Sequence, residues 1–288
     1  MTTQIVVHLL PQEIDWFEWQ SRQFKIGSQN IDNSIVIDVT LNLNLVDWEN
    51  SSIPKDFFIN KFNQIKLLWD WADTIFTVSD NGECLGTNDK KRDSIRSTLA
   101  DNLLWLDSDI IFRPELLSYL TSISNMIPEE YYVITPQIGK LWDSSWDVLV
   151  NNNYVNESPC IPYDKDPFSI VYKDYDDIFV DKINTFKFGA GWGNLISTNL
   201  VKLIDIPDSL GSYGLEDTYT MYCSEILKNK GFNIQQYVVN NILVAENLKY
   251  RSNPYEEFIA LIDRKSEFQK IAEDNLQLEI QKFINRIQ

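Results

Sequence analysis

The stretch "LLWLDSDIIF", Leu103–Phe112, decides how this chain is read. An apolar run of this kind forms a buried strand, yet this one carries Asp107 and Asp109 in its middle. A desolvated carboxylate is costly unless it is paired or binds a metal. Two carboxylates this close also raise each other's pKa. Either opposite charge balances them, or they lie at a rim where water or a cation reaches. In open α/β sheets that rim, at the carboxyl ends of the strands, is where ligands bind. An Asp-x-Asp in an extended turn turns both carboxylates to one side, with Ser108 pointing away. Such a pair suits a hard divalent cation held through oxygen. The plainer reading is an acidic turn between strand and helix, because Asp-x-Asp arises by chance in acidic chains.

Outward from this stretch, several segments read as strands. They are "QIVVHLL" (Gln4–Leu10, closed by Pro11), "SIVIDVTLNLN" (Ser34–Asn44), "TIFTVSDNG" (Thr74–Gly82, ending in a turn), "YYVITP" (Tyr131–Pro136) and "QQYVVNNILVAE" (Gln235–Glu246). Helical spacing appears in "PKDFFINKFNQIKLLWDWA" (Pro54–Ala72), in the short "DSIRSTLA" (Asp93–Ala100) and in "PELLSYLTSISNM" (Pro114–Met126), with proline at its first turn. "YGLEDTYTMYCSEILKNKG" (Tyr213–Gly231) reads as a loop entering a helix that stops at Gly231. Strands alternating with helices predict an α/β fold with a mostly parallel central sheet flanked by helices. We expect one such domain over residues 1–250 and a C-terminal helical extension, residues 251–288, packed on it. Residues 140–182 are rich in aromatic and polar side chains and read either as a surface loop or hairpin or as a specificity loop over a site.

Composition bounds the function. The chain has 288 residues, 44% of them hydrophobic, enough to bury a large core. Against 25 Lys and Arg stand 42 Asp and Glu, a net charge of -17. That surface repels bulk nucleic acid and anionic membrane. No apolar stretch is long enough to span a bilayer. The N-terminus has no basic leader and reads as a first strand rather than a signal peptide, so a cytoplasmic location is expected. Cys84, Cys160 and Cys223 are far apart and odd in number, which argues for free thiols rather than a zinc site or disulfide framework. The single histidine, His8, argues against a His-based metal cluster or a serine-type triad and reads as a packed or capping residue.

Three further features carry chemistry. "GTNDKKRDSI" (Gly86–Ile95) gathers Lys90, Lys91 and Arg92, with Arg96 one turn on. Guanidinium and ammonium groups beside a cation are what a diphosphate needs; a solvated charged turn is the alternative. "GLEDT" places Glu216 and Asp217 at a helix start, either as dipole partners or as a carboxylate general base. "FKFGAGWGNLIS" (Phe186–Ser197) packs three glycines into five residues, which lets backbone approach a ligand. Trp142, Trp146 and Trp192 are candidate sugar-stacking rings or core residues.

The order of these features resembles the GT-A class of glycosyltransferases, and family 2 most closely in pattern. "GTNDKKRDSIRSTLADNLLWLDSD" is similar to that family's "G…ARN…A…LDxD" run, with Arg92 at the motif arginine and Asp93 at its asparagine. Glu216-Asp217 resembles the family's late "ED" pair, and "LLPQEID" loosely resembles its opening "P-x-Y-N". The good match covers roughly Gly86 to Cys223. The resemblance implies a GT-A (Rossmann-like) fold, a DXD motif and inverting transfer from a nucleotide-diphosphate sugar to an acceptor hydroxyl. It implies Mn²⁺ or Mg²⁺ held by Asp107 and Asp109, and Arg92 with Lys91 on the leaving diphosphate. Asp217 would be the base, with Glu216 beside it. Pro11, Asp107, Gly191 and Trp192 would also meet the nucleotide sugar. The nucleobase aspartate would be Asp38 or Asp80, with Asp80 the expected contact. The late metal histidine of many GT-A enzymes is absent. "LVAENLKYR" offers Glu246 or Asn247 in its place, with Glu246 the expected third ligand. The acceptor could be a carbohydrate, a lipid-linked glycan, a protein or a modified base. Two other readings stay open: a nucleotidyltransferase, and a non-catalytic carbohydrate-binding protein with a decayed transferase fold.

Overall fold

A computed structural model of the chain describes residues 1–141, 160–161, 166, 168, 171–172, 180–183, 192–247, 254–262 and 264–288. Four parallel strands form the first half of the sheet: β1 (Thr2–Leu9), β2 (Ser34–Asn42), β3 (Asp73–Ser79) and β4 (Asn102–Leu106). After β4 come β5 (Ile110–Ile111), β6 (Tyr131–Leu141), β7 (Cys160–Ile161), β8 (Val180–Ile183), β9 (Trp192–Ser197) and β10 (Ile234–Glu246). The sheet order is β3-β2-β1-β4-β9-β6-β10-β5, with β7 on β6 and β8 on β10. β9 runs antiparallel to both β4 and β6, while β6 and β10 are parallel. The direction therefore reverses beside β4, and the Asp107–Asp109 turn lies where the two halves meet.

The strands alternate as a sheet covered on both faces requires. In β1, Ile5, Val7 and Leu9 enter one core while Val6 enters the other. In β4, Leu104 and Leu106 enter the first core, Leu103 and Trp105 the second. The first core is closed by α1 (Ile14–Gly27), α2 (Lys55–Lys66) and α4 (Leu116–Met126). The second is closed by α3 (Thr87–Ser97), α5 (Thr198–Ile204), α6 (Glu216–Asn229) and α7 (Lys265–Arg286). α7 buries Phe268, Ala272, Ile280 and Phe283.

Two local readings change. α3 begins at Thr87 rather than near Asp93, so the basic segment is helix and not turn. Gly86 starts it because the Asp89 carboxylate accepts the N–H groups of Leu85 (2.9 Å) and Gly86 (3.2 Å), satisfying donors ahead of the first turn. A methyl group at Gly86 would sit 2.1 Å from the Ser212 carbonyl oxygen, so only glycine permits this approach. α1 occupies Ile14–Gly27, a segment to which the sequence reading gave no element. Its buried face, Ile14, Phe17, Gln20, Ser21, Phe24 and Gly27, includes polar residues that break the apolar stripe. Of residues 140–182, most lie outside the described residues, as do Trp142, Trp146 and Gly191. Cys84 and Cys223 are buried free thiols.

Candidate active site

The Asp107-Ser108-Asp109 turn is fixed from three directions. From α1, the Gln20 amide donates to the carbonyls of Asp107 (2.9 Å) and Ile110 (3.0 Å). From the short 3₁₀ turn Pro11–Glu13 that follows β1, the Glu13 carboxylate accepts the Ser108 hydroxyl at 2.6 Å and the Leu10 N–H at 3.0 Å. From the end of β10, the Asn247 N–H donates to the Asp109 carbonyl at 2.8 Å. Strand alternation explains the rest. Asp107 continues the Leu103–Trp105 side of β4 and meets α3 and α6, while Ser108 turns to the α1 side.

On that side lies a group of charges. Lys91 is buried, its ammonium 4.8 Å from the centre of the Trp105 ring and 2.5 Å from the Glu216 carboxylate. Burial alone would lower the Lys91 pKa, but Glu216, Asp107 and Asp217 hold it above the ordinary lysine value. Burial, reinforced by Asp109, Glu216 and Asp217, raises the Asp107 carboxyl well above the usual carboxylate range despite Lys91. Burial and then Asp109 raise Glu13 as well. Asp217 follows Glu216 at the start of α6, and its Oδ1 accepts the Thr218 N–H at 2.6 Å. Leu215, just before them, is a non-glycine residue in the left-handed region, φ 61°. Strained backbone of this kind costs about 1–3 kcal/mol and gathers at functional sites. The loop is tied to α3 by Asn88, whose N–H donates to Ser212 O (3.0 Å) and whose amide donates to Gly214 O (3.1 Å).

The structure brings together Asp107, Asp109, Lys91, Glu216 and Asp217, and sets Pro11 at the adjoining end of β1. Trp192 opens β9, buried, and pairs with Leu106 across a register shift. Gly193, φ 92°, is the extra residue of that bulge, beside the Asp107 turn. Arg92 is not at the rim. Its guanidinium donates to the carbonyls of Ile206 (3.0 Å), Pro207 (3.0 Å) and Gly211 (3.1 Å) and to Asp89 (3.0 Å). Consecutive helical residues point about 100° apart, so Lys90, Lys91 and Arg92 cannot form one patch. Lys90 is bonded to Asp38, which also accepts from Gln4 and Ser94. Asp80 lies beyond β3, paired with Lys55 at 2.5 Å. The Glu246 side chain lies outside the described residues. Glu13 and Gln20 have no site role legible in the sequence, because their partners are distant in the chain and only the fold brings them together; Asn247, offered by the sequence beside Glu246, lies against the Asp109 turn.

Do these residues suit a divalent cation? Among the described residues no group of three or more His, Cys, Asp or Glu side chains is gathered for one. Asn247 supplies a different observation. It is 2% exposed, lies against the Asp109 turn, and neither polar atom of its amide has a hydrogen-bond partner. Unsatisfied buried polar groups cost about 1–3 kcal/mol each. Two rim carboxylates and an orphaned amide oxygen form an all-oxygen donor set, which fits Mn²⁺ or Mg²⁺.

This architecture is the GT-A fold of glycosyltransferases. The chain is similar to glucosyl-3-phosphoglycerate synthase from Mycobacterium tuberculosis, solved with Mn²⁺, UDP-glucose and phosphoglyceric acid. Identity is 13% and the TM-score 0.53, over 97% of this chain and 80% of that one. It is likewise similar to TarS from S. aureus in complex with UDP-GlcNAc, at 12% identity and TM-score 0.50, over 99% and 72% of the two chains. Against a longer TarS chain it spans 37% of the length. No family model and no curated protein sequence matches the chain. No helix among the described residues is long and apolar enough to cross a membrane.

Proposed function

We propose that the protein is a glycosyltransferase that moves a sugar from a nucleotide-diphosphate sugar to an acceptor hydroxyl with inversion. One observation carries the reading: the pinned Asp107–Asp109 turn at the sheet rim faces the Glu216-Asp217 pair at the start of α6. Asp107, Asp109 and Asn247 would hold Mn²⁺ or Mg²⁺, which would offset the negative charge growing on the leaving diphosphate. Asp217 accepts the acceptor's hydroxyl proton. The acceptor oxygen bonds to the anomeric carbon from the face opposite the diphosphate, and the bond from that carbon to the phosphate oxygen breaks with its electron pair on oxygen. Glu216 is engaged by Lys91, whose charge also reaches Asp107 and Asp217. It therefore positions the site while Asp217 does the proton transfer. Pro11 and Trp192 flank the donor.

The test combines binding with turnover. A panel of nucleoside diphosphates, with and without Mn²⁺, identifies the base by thermal shift. With the matching sugar donor, Asp217→Asn is expected to leave the donor Kd unchanged and to lower kcat at least about a hundredfold, the lower range for a lost general base. Near-normal kcat in Asp217→Asn would overturn the assignment. Use of a nucleoside triphosphate and a sugar phosphate would point to nucleotidyl transfer, and a chain that binds no nucleotide would point to a non-catalytic role.

A further inference from the structure

Several aromatic side chains on the face closed by α1 and α2 have a structural task. Phe57 and Tyr255, ring centres 5.9 Å apart, fasten residues 254–262 to α2. Residues 258–262 then form a strap across the loop after β2. Asp47 N–H donates to Ala260 O (2.7 Å), Ile262 N–H to Leu45 O (2.9 Å) and Ser52 N–H to Phe258 O (3.1 Å), with an antiparallel bridge between Val46 and Leu261. α7 follows and packs against the loop that leads to Glu216, where a methyl group at Gly214 would lie 3.7 Å from the Gln269 Cα. Trp48 donates its indole N–H to Leu43 O (2.9 Å) and Trp69 to Ser21 Oγ (3.0 Å), as enclosed indoles generally do.

Trp16 and Trp19, one turn apart on α1, differ. Both are half-buried, and no described residue accepts either indole N–H. Trp16 packs against none of the apolar clusters; its one ring contact is Trp19, edge-on at 6.4 Å. Trp19 meets Phe168 (5.9 Å), and Phe168 stacks on Tyr172 (6.4 Å), which is 40% exposed. The Tyr172 hydroxyl donates to Gln23 Oε1 at 3.0 Å. A single exposed ring is ordinary, but four rings in contact along one surface mark a binding site.

This shelf adjoins the Asp107–Asp109 turn through measured contacts. Trp19 packs on Phe112 (5.8 Å) and on Ile111 and Ala245, which pair across β5 and β10. Asp109 directly precedes β5 and Asn247 directly follows β10. Trp16 lies one turn from Gln20, which holds the Asp107 and Ile110 carbonyls; side chains so spaced have Cβ atoms about 5–6 Å apart. Around the rings, Asp15 is paired with Lys61, Glu18 with Arg22 and Glu115 with Arg113. Paired charges offer little to a phosphate, and an acyl chain laid over the indoles would strand their N–H groups. A neutral sugar suits both features: its C–H face lies on a ring and its hydroxyls accept from N–H donors.

We propose that Trp16, Trp19 and Tyr172 form a shelf that holds one sugar ring of the acceptor, and that the acceptor is therefore a glycan of more than one unit. The inference rests on the glycosyltransferase reading above and gives the acceptor its chemical class. Asp217 stands across the turn, on the side of α3 and α6, whereas the shelf is on the side of α1. The unit that yields its hydroxyl proton and the unit on the shelf are thus different sugars of one chain.

The experiment screens the protein on an array of immobilised mono-, di- and longer saccharides. It then titrates the best-retained glycan and its terminal monosaccharide in solution. The wild type should prefer the longer glycan. Trp16→Ala should weaken that glycan at least about tenfold, as for a large side chain no longer covered by its ligand. It should leave the Kd of the Mn²⁺-loaded protein for the nucleoside diphosphate unchanged. Trp16→Phe, which keeps a ring, should stay within a few-fold of the wild type. Phe232→Ala, which removes an exposed ring beside Tyr131, should match the wild type. Thermal melts confirm that each variant is folded. A wild type that retains no glycan, or that binds the terminal monosaccharide as tightly as the glycan, overturns this inference and leaves the functional reading standing. Equal glycan affinity of wild type and Trp16→Ala also overturns it, as does an equal loss for glycan and nucleoside diphosphate, since the ring would then shape the donor site. A wild-type chain that binds no nucleoside diphosphate overturns the functional reading itself, and this inference with it.

Discussion

Single residues carry opposite fates in this chain according to what surrounds them. His8 accepts or donates at Nε2 with the Asn42 amide at 3.1 Å; the amide nitrogen can only donate, so Nε2 is the acceptor and the proton sits on Nδ1. Burial first, then Lys265, Lys90 and Lys91, lower its pKa to about 3. The folded protein therefore keeps His8 neutral over a range in which the unfolded chain, near pKa 6.5, is protonated. The stability this contributes is present in full above pH 6.5 and is lost as pH falls toward 3. Compared with His8→Gln, the wild type should lose unfolding free energy over that window at up to about 1.4 kcal/mol per pH unit. Urea titrations of both proteins at several pH values would check this, and parallel curves would show that the ring is protonated in the fold. The sequence reading of His8 as a packed residue agrees with this surrounding. Arg92 shows the opposite: its charge was legible and its direction was not, because three consecutive cations look like a patch in a string and diverge on a helix.

At the scale of elements, the site depends on α1, which the sequence reading passed over. Its buried Gln20 and Ser21 interrupt the apolar pattern that marks a helix, and they do so for a reason. Ser21 accepts the Trp69 indole N–H at 3.0 Å, and Gln20 clamps the turn after β4. Polar residues buried for hydrogen bonding are hard to recognise in a pattern of hydrophobicity. The strands were legible because β-branched and leucine-rich runs have few other uses, and Asp-x-Asp was legible because carboxylates contradict such a run. Gln20→Leu should leave the Asp107 and Ile110 carbonyls without this donor and destabilise the fold by about 1–3 kcal/mol. It should also weaken Mn²⁺-dependent nucleotide binding, since the carboxylates would lose their fixed turn. Chemical denaturation and calorimetric titration measure the two effects. A variant with wild-type values in both would show that Glu13 and Asn247 hold the turn without it.

For the whole molecule, the final helix is part of the second core. Phe283 is 2% exposed and packs edge-on against Tyr219 of α6, ring centres 6.4 Å apart. Phe283→Ala should cost about 3–5 kcal/mol of unfolding free energy, as for other large aromatic truncations in a core, read by urea denaturation. A loss under about 1 kcal/mol would mean that α7 docks without contributing to the cooperative unit. Sequence periodicity gave the tail its helix. It could not give the docking partner, which lies in the loop before Glu216, or the strap that precedes the helix, whose bonds reach back to residues 45–52.

That strap has a consequence for how the protein is made. Ser51 and Phe258, joined by a hydrogen bond at 3.0 Å, are 207 residues apart. Chains emerge from the ribosome N-terminus first, at about 5–20 residues per second, so the segment around Leu45–Ser52 waits at least about ten seconds for its partner. Throughout that interval β1 to β4 can pair and pack, but the loop after β2 lacks the segment that bonds to it. Closure of the loop after β2 is thus an event of late synthesis, and a nascent chain paused before the strap would hold the carboxylates of the site without the final helix that packs on the loop before Glu216.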